Sequence, residues 1–263
     1  MKNLLYGMII GIANIIPGVS GGTMAVILNV YDKIISSVSN LKSDFKNSVK
    51  FLAPIGIGAV FGIVLFAKIV TFFLNTFETA TMLAFSGLIF GSIPMIKNKA
   101  LESKKSVSGY ISFAIALIIM LVMSFSSVSE STTVITSLTV ETFIVLFFAS
   151  VISAGSMIIP GISGSFVMLL LGIYSSILSA VSTLNIPVLI PVGLGCLVGI
   201  LAFIRLIDFL FKKYHNETYM AILGLMMGSI VTIIPSFIFN LEYFVGLILC
   251  VIFAKVSFAF SKK

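Results

Sequence analysis

Long apolar runs separated by short polar stretches follow one another along almost the whole chain. A helix needs about 20 mainly apolar residues to cross the hydrocarbon core of a bilayer. Six runs meet or approach this length and predict plain transmembrane helices; they are residues 52–73, 80–96, 107–128, 188–211, 219–239 and 243–260. The pattern therefore predicts an all-α, polytopic integral membrane protein.

Two further apolar runs are interrupted by residues that cannot continue a helix. The first contains Ile-Ile-Pro-Gly-Val-Ser-Gly-Gly-Thr at residues 15–23, and the second contains Ile-Ile-Pro-Gly-Ile-Ser-Gly-Ser-Phe at residues 158–166. Proline lacks an N–H group and disfavours the helical conformation in the residue before it, so the chain must turn there. The glycines that follow allow positive φ, and Ser20 and Ser163 are suited to cap the next helix.

Each interrupted run is predicted to form a hairpin. Residues 140–181 would be about 60 Å long as one helix, twice the thickness of the hydrocarbon core, so the segment must enter and come back. The run from residue 4 to about residue 37 contains the same motif and is interpreted in the same way. Irregular backbone at membrane depth is tolerated only where protein or a water-filled cavity surrounds it, which predicts that both hairpin tips face inward.

The chain also contains an internal repeat. The two motifs are related by an offset of 143 residues, and further matches such as Pro54 with Pro191 follow at an offset of 137. Each repeat is a hairpin followed by two helices, residues 4–96 and residues 140–239, within a single transmembrane domain of residues 1–263. Residues 107–128 link the repeats, and residues 243–260 form a final helix. Because one crossing separates the repeats, the second is predicted to lie inverted in the membrane, as in many secondary transporters.

Composition and charge agree with this architecture. The chain is 59% hydrophobic and 10% charged, with a mean hydropathy of +1.22. The formal net charge is +7, but the Lys residues lie between apolar runs, as the positive-inside rule expects of cytoplasmic loops, so nucleic acid is not an expected partner. With both hairpins in place every basic cluster falls on one side, which predicts that both termini are cytoplasmic. The apolar N-terminus resembles a signal peptide, but its motif recurs internally, so we expect it to belong to the mature fold.

Candidate chemistry is concentrated at the hairpin tips. A helix that begins beside a break presents unpaired N–H groups and the positive end of its dipole, which suits an anion. The candidate binding residues are Ser20, Gly21, Gly22 and Thr23 at the first tip and Ser163, Gly164 and Ser165 at the second. Close helix packing is the alternative explanation for these small residues. We expect the tips to meet near the membrane midplane and to form one anion site that is reached alternately from either face.

Few charged residues lie within the apolar runs. Lys68 and Arg205 occupy matched positions in the two repeats, where they either contact an anion from each face or snorkel and pair locally, Arg205 with Asp208. Glu141 and Asp208 are the two acidic candidates for proton coupling, and interfacial or local pairing is the alternative for both. With one His, expected to be solvated in a loop at His215, and no clustered carboxylates, the sequence predicts no enzyme active site, no metal site and no cofactor.

The two motifs, with Ala13 and Asn14 before the first, resemble those of the PopT family of bacterial polyprenyl-phosphate transporters. The resemblance extends over essentially the whole chain, although the second motif has Ser165-Phe166 where the first has Gly22-Thr23. It implies a flippase that moves undecaprenyl phosphate, the lipid carrier of cell-wall glycans, from the outer to the cytoplasmic leaflet of the bacterial plasma membrane for reuse.

On this interpretation the tip residues bind the phosphate, and Lys68 and Arg205 hand it to or from each face. The prenyl tail stays in membrane lipid between the repeats. The residues alone leave two alternatives open, a transporter of a small anionic solute or ion and a non-transporting membrane scaffold. An oligomer is compatible with all three.

Overall fold

The fold is taken from a computed structural model, which describes residues 1–14, 19–102, 106–125, 134–237 and 239–261. Within these residues the chain forms twelve α-helices and no strand. The helices are α1 (Lys2–Ala13), α2 (Gly21–Ile27), α3 (Tyr31–Ser39), α4 (Phe45–Thr76), α5 (Glu78–Leu101), α6 (Val107–Phe125), α7 (Val140–Ser156), α8 (Gly164–Leu170), α9 (Tyr174–Ser182), α10 (Ile186–Lys213), α11 (His215–Ile233) and α12 (Leu241–Ser261). The Pro17-Gly18 turn of the first motif lies outside the described residues.

Five described helices, α4, α5, α6, α10 and α12, are long and apolar enough to cross a membrane, and the bent pair α8–α9 would make a sixth span. The predicted all-α membrane architecture is confirmed. The span expected at residues 219–239 is shorter and shifted, because α11 begins at His215 and ends at Ile233. Pro235 disfavours the helical conformation at Ile234, whose backbone is extended with φ −62° and ψ 119°.

The two repeats contain the same helices in the same order. Helices α2 and α8 have 7 residues each, and α3 and α9 have 9 each. Each returning limb has a second break that the sequence analysis did not predict, at Asn29 (φ 57°) and at Gly172 (φ 70°). The break at Gly172 turns the axis of α9 by 110° from that of α8. Each interrupted run therefore forms one longer helix followed by two short ones.

The packing of small residues shows the direction of the entering helices. Gly7 and Gly11 of α1 contact the backbone of Ile55 and Ala59 of α4, in the same order along both helices. Helices α1 and α4 therefore run parallel, and α7 and α10 do so through Gly195 and Gly199 against residues 147–151. Because α1 and α4 start at the same end of the molecule, α2 and α3 must bring the chain back to that end, which is the path of a hairpin.

Helices α5 and α11 pack together at the centre and run antiparallel. Asn216 at the start of α11 donates from Nδ2 to the carbonyl oxygen of Ala100 near the end of α5, at 2.6 Å. At their opposite ends Met82 and Ile233 line one cavity. An inverted second repeat requires this relation between matched helices. The helix after each repeat crosses to the other repeat, since α6 packs on α11 and α12 packs on α5.

These directions place most basic groups at one end of the molecule, here called the basic end, where α1, α4, α6 and α11 begin and α5, α10 and α12 finish. Its described Lys residues include Lys2, Lys33, Lys42, Lys46, Lys50, Lys97, Lys99, Lys212 and Lys213. The opposite, far end carries Glu78, Glu141 and Glu242 in the first turns of their helices. The basic connections before α4 and after α5 are shorter than expected. Lys46 and Lys50 lie within α4, and residues 98–101 lie within α5. The cytoplasmic orientation of the basic end stays a prediction.

Candidate substrate site

The two hairpin tips are in direct contact. The backbone N–H of Gly161 donates to Oγ1 of Thr23 at 2.8 Å, and the hydroxyl of Tyr31 donates to the carbonyl oxygen of Ile158 at 2.8 Å. The end of α7 lies level with Phe203, whose ring packs on Gly155, and α10 ends ten residues later at Lys213. The second tip therefore lies about 15 Å from the end of α10. Its position relative to the membrane midplane stays a prediction.

The first tip is engaged within the protein. Ser20 caps α2 as predicted, because its Oγ accepts from the N–H of Gly22 at 3.2 Å. The N–H of Gly21 donates to Oδ1 of Asn14 at 3.1 Å, and Thr23 is only 1% exposed. The expectation that Gly21 and Gly22 offer N–H groups to an anion is therefore not met in this conformation, because side chains of the same hairpin already accept from them.

The second tip is more open. Ser163 precedes α8 but makes no capping hydrogen bond, and its Oγ lies 2.9 Å from Oγ of Ser165, which is exposed. Gly164 is buried against the side chain of Met157 and leaves no room for a Cβ atom. Gly161 has φ +93°, the left-handed conformation that favours glycine. The two serines therefore present their hydroxyls while the glycines fix the turn.

A cavity of about 270 Å³ lies beside the second tip. It is lined by four hydroxyl side chains and by apolar groups; the residues are Met82, Met120, Ser124, Gly161, Ser163, Ser165, Phe166, Leu169, Thr232 and Ile233. Met82 lies in the first turns of α5 and Thr232 in the last turn of α11, so the cavity is on the far-end side of the contact between the tips. Ser163 and Ser165 were predicted from the motif, whereas Ser124 and Thr232 were missed because neither belongs to a motif.

The matched cations do not line this cavity. Arg205 and Lys68 are both exposed on their helices, and neither forms an ion pair with a described residue. Arg205 lies two residues beyond Phe203 and hence at the depth of the second tip, whereas Lys68 lies in the far-end half of α4. The structure therefore brings Arg205 to the level of the tip contact and keeps Lys68 away from it.

The two acidic candidates are also outside the cavity. Asp208 accepts from Nζ of Lys212 at 2.6 Å and from Oγ of Ser39 at 2.8 Å, instead of pairing with Arg205. Glu141 is exposed in the first turn of α7. Asp208 is thus locally paired through a residue that the sequence analysis did not consider. No group of three or more His, Cys, Asp or Glu side chains that could hold a metal ion occurs in the described parts of the chain.

A polar cluster that the sequence did not predict lies at the basic end. Oδ2 of Asp32 accepts from Nζ of Lys99 at 2.7 Å and from the hydroxyl of Tyr219 at 2.5 Å. His215, expected to be solvated in a loop, instead begins α11, with Nε2 3.1 Å from the carbonyl oxygen of Lys99. The repeat contained one sign that Asp32 is special. Tyr31 is repeated as Tyr174, whereas the next residue, Asp32, is matched by a serine.

An apolar groove of about 650 Å³ separates α4, α5 and α12 near the far end. Its walls include Phe73, Phe85 and Phe253. Glu242 at its rim accepts from the N–H of Ala80 at 3.2 Å and so caps the start of α5. The groove therefore offers an apolar surface with its one carboxylate already engaged.

A protein-family model described as VCA0040-like, undecaprenyl phosphate translocase-like, matches residues 10–244. The chain belongs to this family. A polyprenyl-phosphate transporter of Vibrio cholerae serotype O1 is 31% identical over 250 residues, which cover 89% of this chain and 78% of the relative. A polyprenyl-phosphate transporter of Staphylococcus aureus is 30% identical over an alignment of 274 residues, which covers 99% of this chain and 95% of the relative. No solved structure matches the chain.

The resemblance drawn from the two motifs is confirmed by these matches. Both relatives are named as transporters and not as enzymes, in agreement with the expectation that this chain is not an enzyme.

Proposed function

We propose that this protein moves undecaprenyl phosphate from the outer to the cytoplasmic leaflet of the bacterial plasma membrane, so that the carrier is reused in cell-wall glycan synthesis. Family membership and the names of both relatives support polyprenyl phosphate as the substrate class. The observation that carries the proposal is the hydroxyl-lined cavity beside the contact of the two tips, within a bundle of apolar helices.

The chemistry of the cavity suits a phosphate head group. Charge left unpaired in hydrocarbon costs many kcal/mol, so a transporter must replace water with fixed donors. The hydroxyls of Ser163 and Ser165 are 2.9 Å apart, and Ser124 and Thr232 add two more from facing helices. Hydrogen bonds from hydroxyls to an ionised oxygen are short and strong. These four side chains form the phosphate site in this conformation, and Gly164 keeps the start of α8 close to it.

The first tip forms the matching half of the site in the opposite conformation. There the N–H groups of Gly21 and Gly22 would exchange their internal acceptors for the phosphate, and the N–H of Thr23 would join them, with Ser20 released from its cap. Arg205, at the depth of the second tip, receives the phosphate on its way to the basic end, and Lys68 attracts it at the far end. An antiparallel α5 and α11 support this exchange, because an inverted repeat presents equivalent surfaces to the two leaflets.

Orientation and tail position complete the proposal. The positive-inside rule assigns the basic end to the cytoplasm, which makes the far end, where the cavity lies, the outer side. The groove between α4, α5 and α12 takes the start of the prenyl tail, because its walls are apolar. The cavity and the groove are also neighbours, since the same turn of α5 supplies Met82 to the cavity and Thr81 and Ala84 to the groove. The rest of the tail remains in lipid.

The test is transport into proteoliposomes of labelled undecaprenyl phosphate, read as protection from an impermeant reagent that modifies exposed phosphate. We expect the double variant Ser163→Ala/Ser165→Ala to lose most of this activity with normal insertion. Ser182→Ala, which removes an exposed serine hydroxyl at the end of α9, is the matched control and should transport normally. Uptake of a water-soluble anion without lipid movement would support a solute transporter, and no movement of either would support a scaffold.

A further inference from the structure

We infer that Asp32, together with Tyr31, is a positioning residue that closes the transport site at the basic end. The inference rests on the proposed function for its role in transport, but the closure itself is a property of the structure. The side chains of Tyr31, Asp32, Lys99 and Tyr219 are here called the basic-end clamp.

The clamp joins four parts of the molecule through two adjacent residues. Tyr31 donates to the carbonyl oxygen of Ile158 in the second tip at 2.8 Å. Asp32 accepts from Lys99 of α5 at 2.7 Å and from Tyr219 of α11 at 2.5 Å. Both residues lie in the first turn of α3, directly after the break at Asn29. The start of α3 cannot leave the bundle without breaking all three contacts.

An aromatic layer closes the space behind these polar contacts. The ring of Phe211 lies 5.9 Å from that of Tyr31 and 5.0 Å from that of Tyr219, measured between centroids. Tyr31 and Tyr219 are each only 4% exposed. Among the described residues, these rings and the clamp lie between the second tip and the basic end.

The ion pair is suited to reversible opening. The side chain of Asp32 is 44% exposed and that of Lys99 is 22% exposed, so water replaces each partner readily when they part. Separating a fully buried pair would leave uncompensated charges and would be strongly unfavourable. A partly hydrated pair contributes modestly, which is what a gate that opens in every cycle requires.

Among the described residues the far end lacks the ion pair of the clamp, although Tyr31 is matched by Tyr174. At the offsets of the repeat, Asp32 is matched by Ser175, Lys99 by Ser236 and Tyr219 by Met82. Met82, the residue matched to Tyr219, lines the cavity on the far-end side. Among the described residues, the matched positions can form an ion pair only at the basic end. Close packing alone gives no reason for this difference, because the helices themselves are repeated.

The experiment measures access to the cavity from each side without using the lipid. In a background with Cys196→Ala and Cys250→Ala, Leu169→Cys places a thiol in the cavity wall. An impermeant maleimide is applied to sealed vesicles from either face. With the clamp intact we expect labelling from the far end only. With Asp32→Asn we expect the rate from the basic end to rise about tenfold, because an ion pair and a charge-assisted hydrogen bond are lost.

Two further variants separate closure from folding. Asp44→Asn removes a carboxylate at the same end whose hydrogen bonds are local to Asn47, and it should leave the labelling pattern unchanged. The exchange Asp32→Lys/Lys99→Asp should restore labelling from the far end only. Unchanged sidedness in a well-inserted Asp32→Asn protein, or failure of the exchange to restore it, would overturn the inference. Loss of lipid transport by the parent protein would instead count against the proposed function and leave the labelling result standing.

Discussion

Gly161 should be the least replaceable residue of the second tip. Its φ of +93° is unfavourable for any residue with a Cβ atom, and a Cβ built there would lie 2.9 Å from the carbonyl carbon of Leu225 and 3.0 Å from its oxygen. The neighbouring atoms belong to the backbone of α11, one of the two central helices. They cannot move aside as a flexible side chain would.

The free-energy cost of Gly161→Ala has two contributions, the unfavourable φ and the close contact with the backbone of Leu225. A non-glycine residue in a sparsely populated conformation costs about 1–3 kcal/mol. Forcing extra atoms into a close-packed site costs about 1–3 kcal/mol more. We therefore expect a loss of about 2–6 kcal/mol in the free energy of unfolding, together with a weaker hydrogen bond from the Gly161 N–H to Thr23. Transport should fall as the tips separate.

Gly193→Ala is the matched control, because Gly193 lies within α10 and a Cβ there meets nothing within 4 Å. Alanine is favoured over glycine inside a helix by about 0.5–1 kcal/mol, so this variant should be as stable as the parent or slightly more so. The assay is reversible denaturation of both variants in the same detergent or lipid, with transport measured in parallel. Equal stability of Gly161→Ala and Gly193→Ala would show that the turn tolerates a side chain and would refute this account of the tip.

Three other predictions concern the cation at the tip, the tip contact and the topology. Arg205→Ala should abolish lipid transport with normal insertion, and Arg205→Lys should recover only part of it, because the planar guanidinium grips phosphate through two bonds; parental rates in a well-inserted Arg205→Ala protein would remove its role. Thr23→Val should destabilise the protein by about 1–3 kcal/mol in denaturation experiments by leaving the Gly161 N–H without its acceptor, whereas Thr23→Ser keeps the acceptor and should lose only about 0.8 kcal/mol for its buried methyl group. Ser137→Cys, at the far end, should react with an impermeant thiol reagent only from outside the cell, and reaction only from the cytoplasm would reverse the assigned orientation.

Features that depend on local chemistry were predicted well from sequence. The starts of α2 and α8 shortly after proline and glycine were predicted, and the repeat is visible because the same motif occurs twice in the sequence. The second breaks were missed because Asn29 and Gly172 are single residues without a proline beside them. Helix α11 was placed too far along the chain because its apolar pattern continues past Pro235.

Side-chain partners across the fold were not predictable in the same way. Asp32 meets Lys99 and Tyr219 only because α3, α5 and α11 converge at the basic end, and no sequence spacing records that convergence. The hydrogen bonds from the Gly21 and Gly22 N–H groups to the side chains of Asn14 and Ser20 were not predicted for another reason. Asn14 was noted as part of a motif, but its side chain as an acceptor for Gly21 appears only once the turn is built.

The repeat, and the matched positions at which its two copies carry different side chains, together have an energetic consequence for transport. Two copies of one unit in opposite orientations would give the two access states nearly equal free energies, and any difference must come from side chains that do not match. The basic-end clamp is such a difference, and it favours the state that is closed at the basic end. Because a ligand shifts an equilibrium only by its differential affinity, the proposed function predicts that phosphate opens the clamp only by binding the open state more tightly. The groups available for this are Arg205 and the amides of the first tip, which are not in the cavity of the present state. A substrate that binds the cavity but cannot reach these groups should therefore inhibit transport without being carried.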